Sequence, residues 1–178
     1  MSRTNPQKKK RRVAKQTLLM FGEGLGEEVF LKHLRGLYSY NSGTAVKIKK
    51  GRGGDAVGIV IDAGNVPGDF DRKVVILDND KDTREMISAR TEAGRRGIEL
   101  LENTPCLEAI LLSILNEGKS FSGKKTDWCK KEFESKYLDK KRRTELREYE
   151  KIFPKDLLDK QRINISELDK FILCMGND

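Results

Sequence analysis

Residues Val74–Glu85, VVILDNDKDTRE, run four consecutive apolar residues into three aspartates at alternate positions, Asp78, Asp80 and Asp82. An apolar run without polar alternation is the pattern of a strand covered on both faces, as in parallel sheets sandwiched between helices. Upstream, Gln16–Phe21 (QTLLMF) has the same character. It leads through the Gly-rich turn Gly22–Gly26 into a helical spacing of Val29, Phe30, Leu34 and Leu37. A more exposed strand is expected at Ala45–Lys50, closed by Gly51, Gly53 and Gly54. Asp55–Ala63 has the Val and Ile content of a strand but the position of a connecting helix, and we read it as helix. Beyond the aspartates, the pattern predicts a helix over Thr83–Arg96, a strand over Gly97–Leu101 and a helix over Pro105–Asn116, with Pro105 in its first turn. Alternating strands and helices predict an α/β fold with a mostly parallel sheet flanked by helices.

After Gly118 the composition changes. Asp127–Lys151 is charged, and Trp128, Phe133, Tyr137, Leu146 and Tyr149 supply only a narrow apolar stripe, which suggests one or two helices packed beside the α/β core. A last helix is expected near Ser166–Cys174. The expected organisation is therefore a basic arm at 1–15, an α/β domain at 16–120 and a helical C-terminal extension at 121–178.

Most of the charge excess sits in the arm. The chain has 178 residues and a formal net charge of +8, with 36 Lys and Arg against 28 Asp and Glu. Seven of the basic residues lie before Gln16 (Arg3, Lys8, Lys9, Lys10, Arg11, Arg12 and Lys15), which leaves 29 basic against 28 acidic residues in the remainder. An arm so rich in cations and so poor in apolar residues is expected to be disordered, and it could hold phosphates, serve as an address or aid solubility. Lys8, Lys9, Lys10, Arg11 and Arg12 are candidate nucleic-acid contacts. Lys49, Lys50 and Arg52 of KIKKGR join them, and KKRRTELR at 140–147 is a further basic cluster. No stretch is apolar enough for a membrane span and the N-terminus has no apolar signal core, so a cytoplasmic location is expected. Cys106, Cys129 and Cys174 are odd in number and widely spaced, and His33 is the single histidine, so neither a disulfide framework nor a zinc site is supported.

The acidic run has a plain reading and three chemical ones. Asp and Asn suit a strand end followed by a helix N-cap. An EF-hand loop starting at Asp78 would need Gly at its sixth position and Glu at its twelfth, where this chain has Thr83 and Ala89. A haloacid-dehalogenase-type phosphatase would use Asp78 as nucleophile and Asp80 as acid/base, but Asp82 stands at the fifth position of that motif. The third reading is a divalent-metal site. Alternate residues of a strand share a face, so Asp78 and Asp80 are expected to point the same way. The first strand ends in its own acid, Glu23 of FGEGLGEE. If the two strands are neighbours, three carboxylates converge and repel unless a cation joins them, and hard oxygen ligands select Mg²⁺ or Mn²⁺.

These residues resemble the TOPRIM domain, a Rossmann-like metal-binding module of topoisomerases, primases and OLD-class nucleases. Its pattern of an apolar strand ending in Glu-Gly and a later one ending in Asp-x-Asp is matched by LLMFGEG and VVILDND. The chain is similar in particular to the RloB-like branch, which has an acid soon after Glu-Gly, where Glu27 or Glu28 is available. That branch also has a segment like NTPCLEAILLSIL, here with Thr104 and Leu107 where it favours Asn and Phe. The resemblance covers about Gln16–Leu115. It implies that Glu23 is a general acid/base or metal ligand, that Asp78 and Asp80 ligate Mg²⁺, and that Glu27 and Glu108 are further ligands for one or two ions. It implies phosphodiester cleavage of DNA or RNA, a connection to phage defence and a separate ATPase as partner, with a homo-oligomer left open. The rival expectations are a catalytically silent nucleic-acid-binding module and the phosphatase.

Overall fold

The structure is a computed structural model that describes residues 14–139 and 141–176. The candidate contacts Lys8–Arg12 of the basic arm lie outside the described residues. Four strands, β1 (Gln16–Gly22), β2 (Thr44–Lys50), β3 (Arg72–Asp78) and β4 (Glu99–Asn103), form one sheet in the order β2-β1-β3-β4. Every pairing is parallel, so the sheet is wholly rather than mostly parallel. Each connection between consecutive strands carries a helix: α1 (Leu25–Tyr38), α2 (Ala56–Gly64) and α3 (Thr83–Arg96). The result is a Rossmann-like α/β fold.

The period-2 pattern of the central strands builds two cores. On β3, Val74 and Ile76 enter one apolar cluster and Val75 and Leu77 the other, and all four are buried. The smaller cluster lies under α2 and α3, with Ile59, Val60, Met86 and Ala89. The larger lies under α1 and α4 (Leu107–Leu115), and it continues without a break through α5 (Thr126–Lys136), α6 (Leu146–Ile152), α7 (Lys155–Gln161) and α8 (Ser166–Cys174). Phe30 of α1 meets the Phe153 ring edge-on at 5.6 Å between centroids. His33 Nε2 lies 2.7 Å from the Phe153 carbonyl, and the Tyr38 hydroxyl donates to Asp159 Oδ1 at 2.8 Å. Burial lowers the His33 pKa. The histidine is thus a packed, hydrogen-bonded element of the interface between α1 and the helical extension. All three cysteines are free and buried.

Several boundaries differ from the sequence expectation. Gly97 caps α3 in the left-handed region at φ 63°, which glycine adopts without a Cβ clash, so the fourth strand starts at Glu99 and runs to Asn103. Pro105 lies before α4 rather than in its first turn, because Cys106 is the extended N-cap at φ −154°. The segment Asp55–Ala63 is helical: Asp55 caps α2 by accepting from the Gly58 N–H at 2.8 Å. Asp127–Lys151 holds parts of two helices, α5 and α6, and α7 is an additional short helix. In that region Phe133 and Tyr149 are buried, whereas Trp128 and Leu146 remain exposed. No helix among the described residues is long and apolar enough to cross a membrane.

Candidate functional site

The C-terminal ends of parallel strands are where an α/β sheet gathers its reactive groups, because the strand-to-helix turns open there. β1 and β3 are neighbours, paired from Leu18↔Arg72 to Gly22↔Ile76, so Glu23 and Asp78 emerge side by side. The Asp78 backbone N–H points toward Glu23 Oε2 at 3.4 Å. Asp78 is the last residue of its strand and shares the face of Val74 and Ile76, the side covered by α1, α4 and the extension. Its Oδ1 accepts from Asn103 Nδ2 at 3.1 Å and from the Leu107 N–H at 3.0 Å, in the first turn of α4.

Glu27 is held against the same strand ends. A Cβ on Gly22 would stand 2.5 Å from the Glu27 Cβ, so the strand must end in glycine for α1 to approach this closely. Glu27 Oε2 accepts from the Gly24 N–H at 3.0 Å. Glu108, in the first turn of α4, completes the acidic floor, and its Oε2 is buried without a hydrogen-bond partner. Glu28 points elsewhere and pairs with Lys32 at 2.8 Å.

Electrostatics mark these acids as a group. Burial, reinforced by Glu27, Glu108 and Glu23, pushes the Asp78 carboxyl up to about 8, against the opposing hydrogen bond from Asn103. Burial likewise raises Glu27, with Glu108 and Glu23 adding to the effect. The charged forms of these groups are therefore destabilised by desolvation and by one another. Lys81 supplies partial relief: its Nζ lies 2.9 Å from Glu23 Oε1 and donates to the Gly54 carbonyl at 3.1 Å.

A cleft of about 400 Å³ opens over this floor, lined by Glu23, Glu27, Asp78 and Glu108. One rim carries Lys50, the last residue of β2, and Arg52 of the loop that follows, where Gly51 packs tightly: a Cβ there would stand 3.2 Å from the Glu23 carbonyl. The opposite wall comes from the helical extension, with Lys130 and Phe133 of α5, Leu138, Arg143 and Tyr149 of α6. Burial disfavours the Lys130 charge, but Glu108 and Asp78, with smaller contributions from Cys106 and Asp80, outweigh it and raise its pKa. Burial raises the Tyr149 hydroxyl, and Glu108 and Glu27 push it further.

Two of the expected residues stand apart. The strand ends at Asp78, so the shared strand face that would place Asp80 beside it does not extend that far. Asp80 is exposed and lies outside the cleft lining, although its charge reaches Lys81 and Lys130. Lys49 is exposed on β2, also away from the lining. Sequence reasoning missed Asn103 and Lys130, and it named Arg143 only as a member of the basic cluster at 140–147. Asn103 has the signal of a polar residue closing a strand, whereas Lys130 and Arg143 sit in charged runs that give no sign of which members face inward.

The acids fit a hard divalent cation in donor chemistry, with carboxylate oxygens only and one of them, Glu108 Oε2, buried and unpartnered. Among the described residues, no three His, Cys, Asp or Glu side chains stand close enough to form a ready metal-binding group. Comparison with protein-family models, curated proteins and solved structures returned no match. The chemistry of the site therefore rests on its own geometry.

Proposed function

We propose that the chain is a Mg²⁺- or Mn²⁺-dependent nuclease of TOPRIM type, cleaving phosphodiester bonds in the cleft over β1 and β3. One observation carries this reading: acids from β1, α1, β3 and α4 converge beneath a rim of Lys50, Arg52, Lys130 and Arg143. An acidic floor collects cations and a basic rim collects phosphates, and a phosphodiester–cation pair satisfies both.

Asp78, Glu27 and Glu108 are the residues that would hold the cation, and it would have to draw them closer than they stand without it. Bound there, it would supply charge neutralisation at the phosphorus oxygens and acidify a water molecule. Glu23, in the turn after β1 and in the cleft lining, would be the group that takes or returns a proton. Lys81 pairs with its Oε1 at 2.9 Å. Asn103 and the α4 N-terminus fix the Asp78 rotamer through Oδ1, which leaves Oδ2 as its second donor atom. The phosphatase reading is the weaker one, since a nucleophilic Asp78 would have to attack from a carboxylate already bound at Oδ1 and only 7% exposed.

The test is cleavage of plasmid, single-stranded DNA and structured RNA by the purified chain with Mg²⁺, Mn²⁺ or EDTA. Cutting that requires the metal and falls by roughly 10²–10³-fold in Glu23→Gln and Asp78→Asn is expected. Equal cutting by both variants would overturn the assignment. Retained nucleic-acid binding with no cutting under any condition would favour a silent binding module.

A further inference from the structure

The extension lies directly over the acidic floor, and this limits what can enter. Lys130 and Phe133 of α5, with Arg143 and Tyr149, form one wall, while Lys50 and Arg52 form the other. The reactive acids are recessed between them: Asp78 is 7% and Glu27 8% exposed. The space of about 400 Å³ is near the lower end of the roughly 300–1,000 Å³ that small-molecule ligands occupy. It holds one nucleotide-sized unit. A phosphate on the outside of a continuous duplex would have to descend past both walls with its base still paired and stacked.

The lining is also divided by chemistry. Acids make the floor and cations the rim, while Leu107, Leu111, Phe133, Leu138 and Tyr149, each at most 3% exposed, belong to the core that backs the cleft and holds its walls in place. A recessed, phosphate-sized polar floor between cationic rims suits a strand whose backbone is free to bend into it. Grooves for single strands carry such a cationic track along the backbone. Lys130 is the cation best placed to read the phosphate. It has no ion-pair partner among the described residues, lines the same cleft as Asp78 and Glu108, and is carried by a helix whose Cys129 and Phe133 are buried in the core.

We infer that the cleft admits an unpaired nucleic-acid strand, with one phosphate anchored by Lys130 over the recessed acids, and excludes a continuous duplex. The inference rests on the cleft being a phosphodiester site. It concerns binding, so it can be tested apart from cleavage. Labelled single-stranded DNA, single-stranded RNA and blunt duplex DNA of equal length would be titrated with the full chain, with Ca²⁺ present, at near-physiological salt. At least ~10-fold tighter binding of a single strand than of the duplex is expected, about 1.4 kcal/mol. Lys130→Ala should remove most of that preference and Lys130→Arg should retain it, with thermal unfolding of each variant as the folding check.

Duplex binding as tight as single-strand binding by the unmodified chain would overturn the inference whatever the variants do. So would an unchanged preference in a folded Lys130→Ala protein. Selective strand binding by a chain that cuts nothing would uphold the inference while removing the nuclease assignment. Cutting of duplex and single strand alike would do the reverse. The DNA and RNA arms identify which strand is taken.

Discussion

The floor and the roof of the cleft are made by different means. Its floor comes from strand ends and the first turns that follow them, where backbone geometry fixes Asp78 through two hydrogen bonds and Glu27 through Gly24. The roof comes from short helices of a charged segment, positioned by side-chain packing of Phe133, Tyr149 and Phe153 against α1. Backbone-fixed groups are rigid and tolerate little change in their own identity. Packing-fixed groups depend on aromatic side chains that never touch the ligand. The contrast predicts that the roof fails through the core and the floor through charge.

The largest effect should come from Phe153→Ala. Phe153 is fully buried and contacts the rings of Phe30, Phe133 and Tyr149, so its truncation should cost ~3–5 kcal/mol in chemical denaturation. Because one continuous cluster joins the sheet face to α5–α8, a single transition with an unchanged denaturant slope is expected. A two-step curve, with the roof melting first, would break the view of the two regions as one core.

A smaller effect, opposite in sign, is expected from the floor. The native Asp78 carboxyl is raised to about 8 from an ordinary value of 3.8. The native state therefore holds a proton that the unfolded chain releases, and this stabilisation is full below the unfolded value and lost as pH rises through about 8. Glu27, also raised, acts in the same direction. Without divalent cations, the melting temperature should fall between pH 5 and pH 8. Asp78→Asn should flatten that fall and gain on the order of 2 kcal/mol at pH 8, since an amide oxygen still accepts from Asn103 and Leu107. Added Mg²⁺ should stabilise the unmodified chain at pH 8 and leave Asp78→Asn nearly unaffected. Equal metal responses would remove Asp78 from the cation site.

The same contrast explains what the sequence made legible. VVIL and QTLLMF announce strands buried on two faces, and an acid closing each of two neighbouring parallel strands must fall at one sheet edge. Glu23 and Asp78 could therefore be brought together once the two strands were taken as neighbours, which the sheet order shows them to be. Asp80 could not, because strand periodicity says nothing of where a strand stops, and β3 stops at Asp78 with the Asn79 N–H still bound to the Asn103 carbonyl. The roof was illegible for a different reason. In TDWCKKEFESK, the face that carries Lys130 and Phe133 is chosen by the burial of Cys129 and Phe133 against distant helices, and the lysine run itself shows no preference. The KDLLDKQ helix α7 is too short for a period to declare itself.

Lys81 provides the finest test of the floor, because it is a cation already in residence. Its pair with Glu23 is partly exposed, with side chains 15% and 21% accessible, and such pairs contribute about 0.2–1 kcal/mol. Lys81→Met should therefore change stability little. Its effect on cation affinity follows from two terms of the same sign: the variant removes a positive charge beside the metal-binding acids, and it leaves Glu23 without its partner in the metal-free state. Mn²⁺ should bind a few-fold more tightly to Lys81→Met in calorimetric titration, with cleavage slowed if Lys81 also steers Glu23. Weaker Mn²⁺ binding would mean that Lys81 acts chiefly through its bond to the Gly54 carbonyl, holding the loop after β2 in place so that the floor can form.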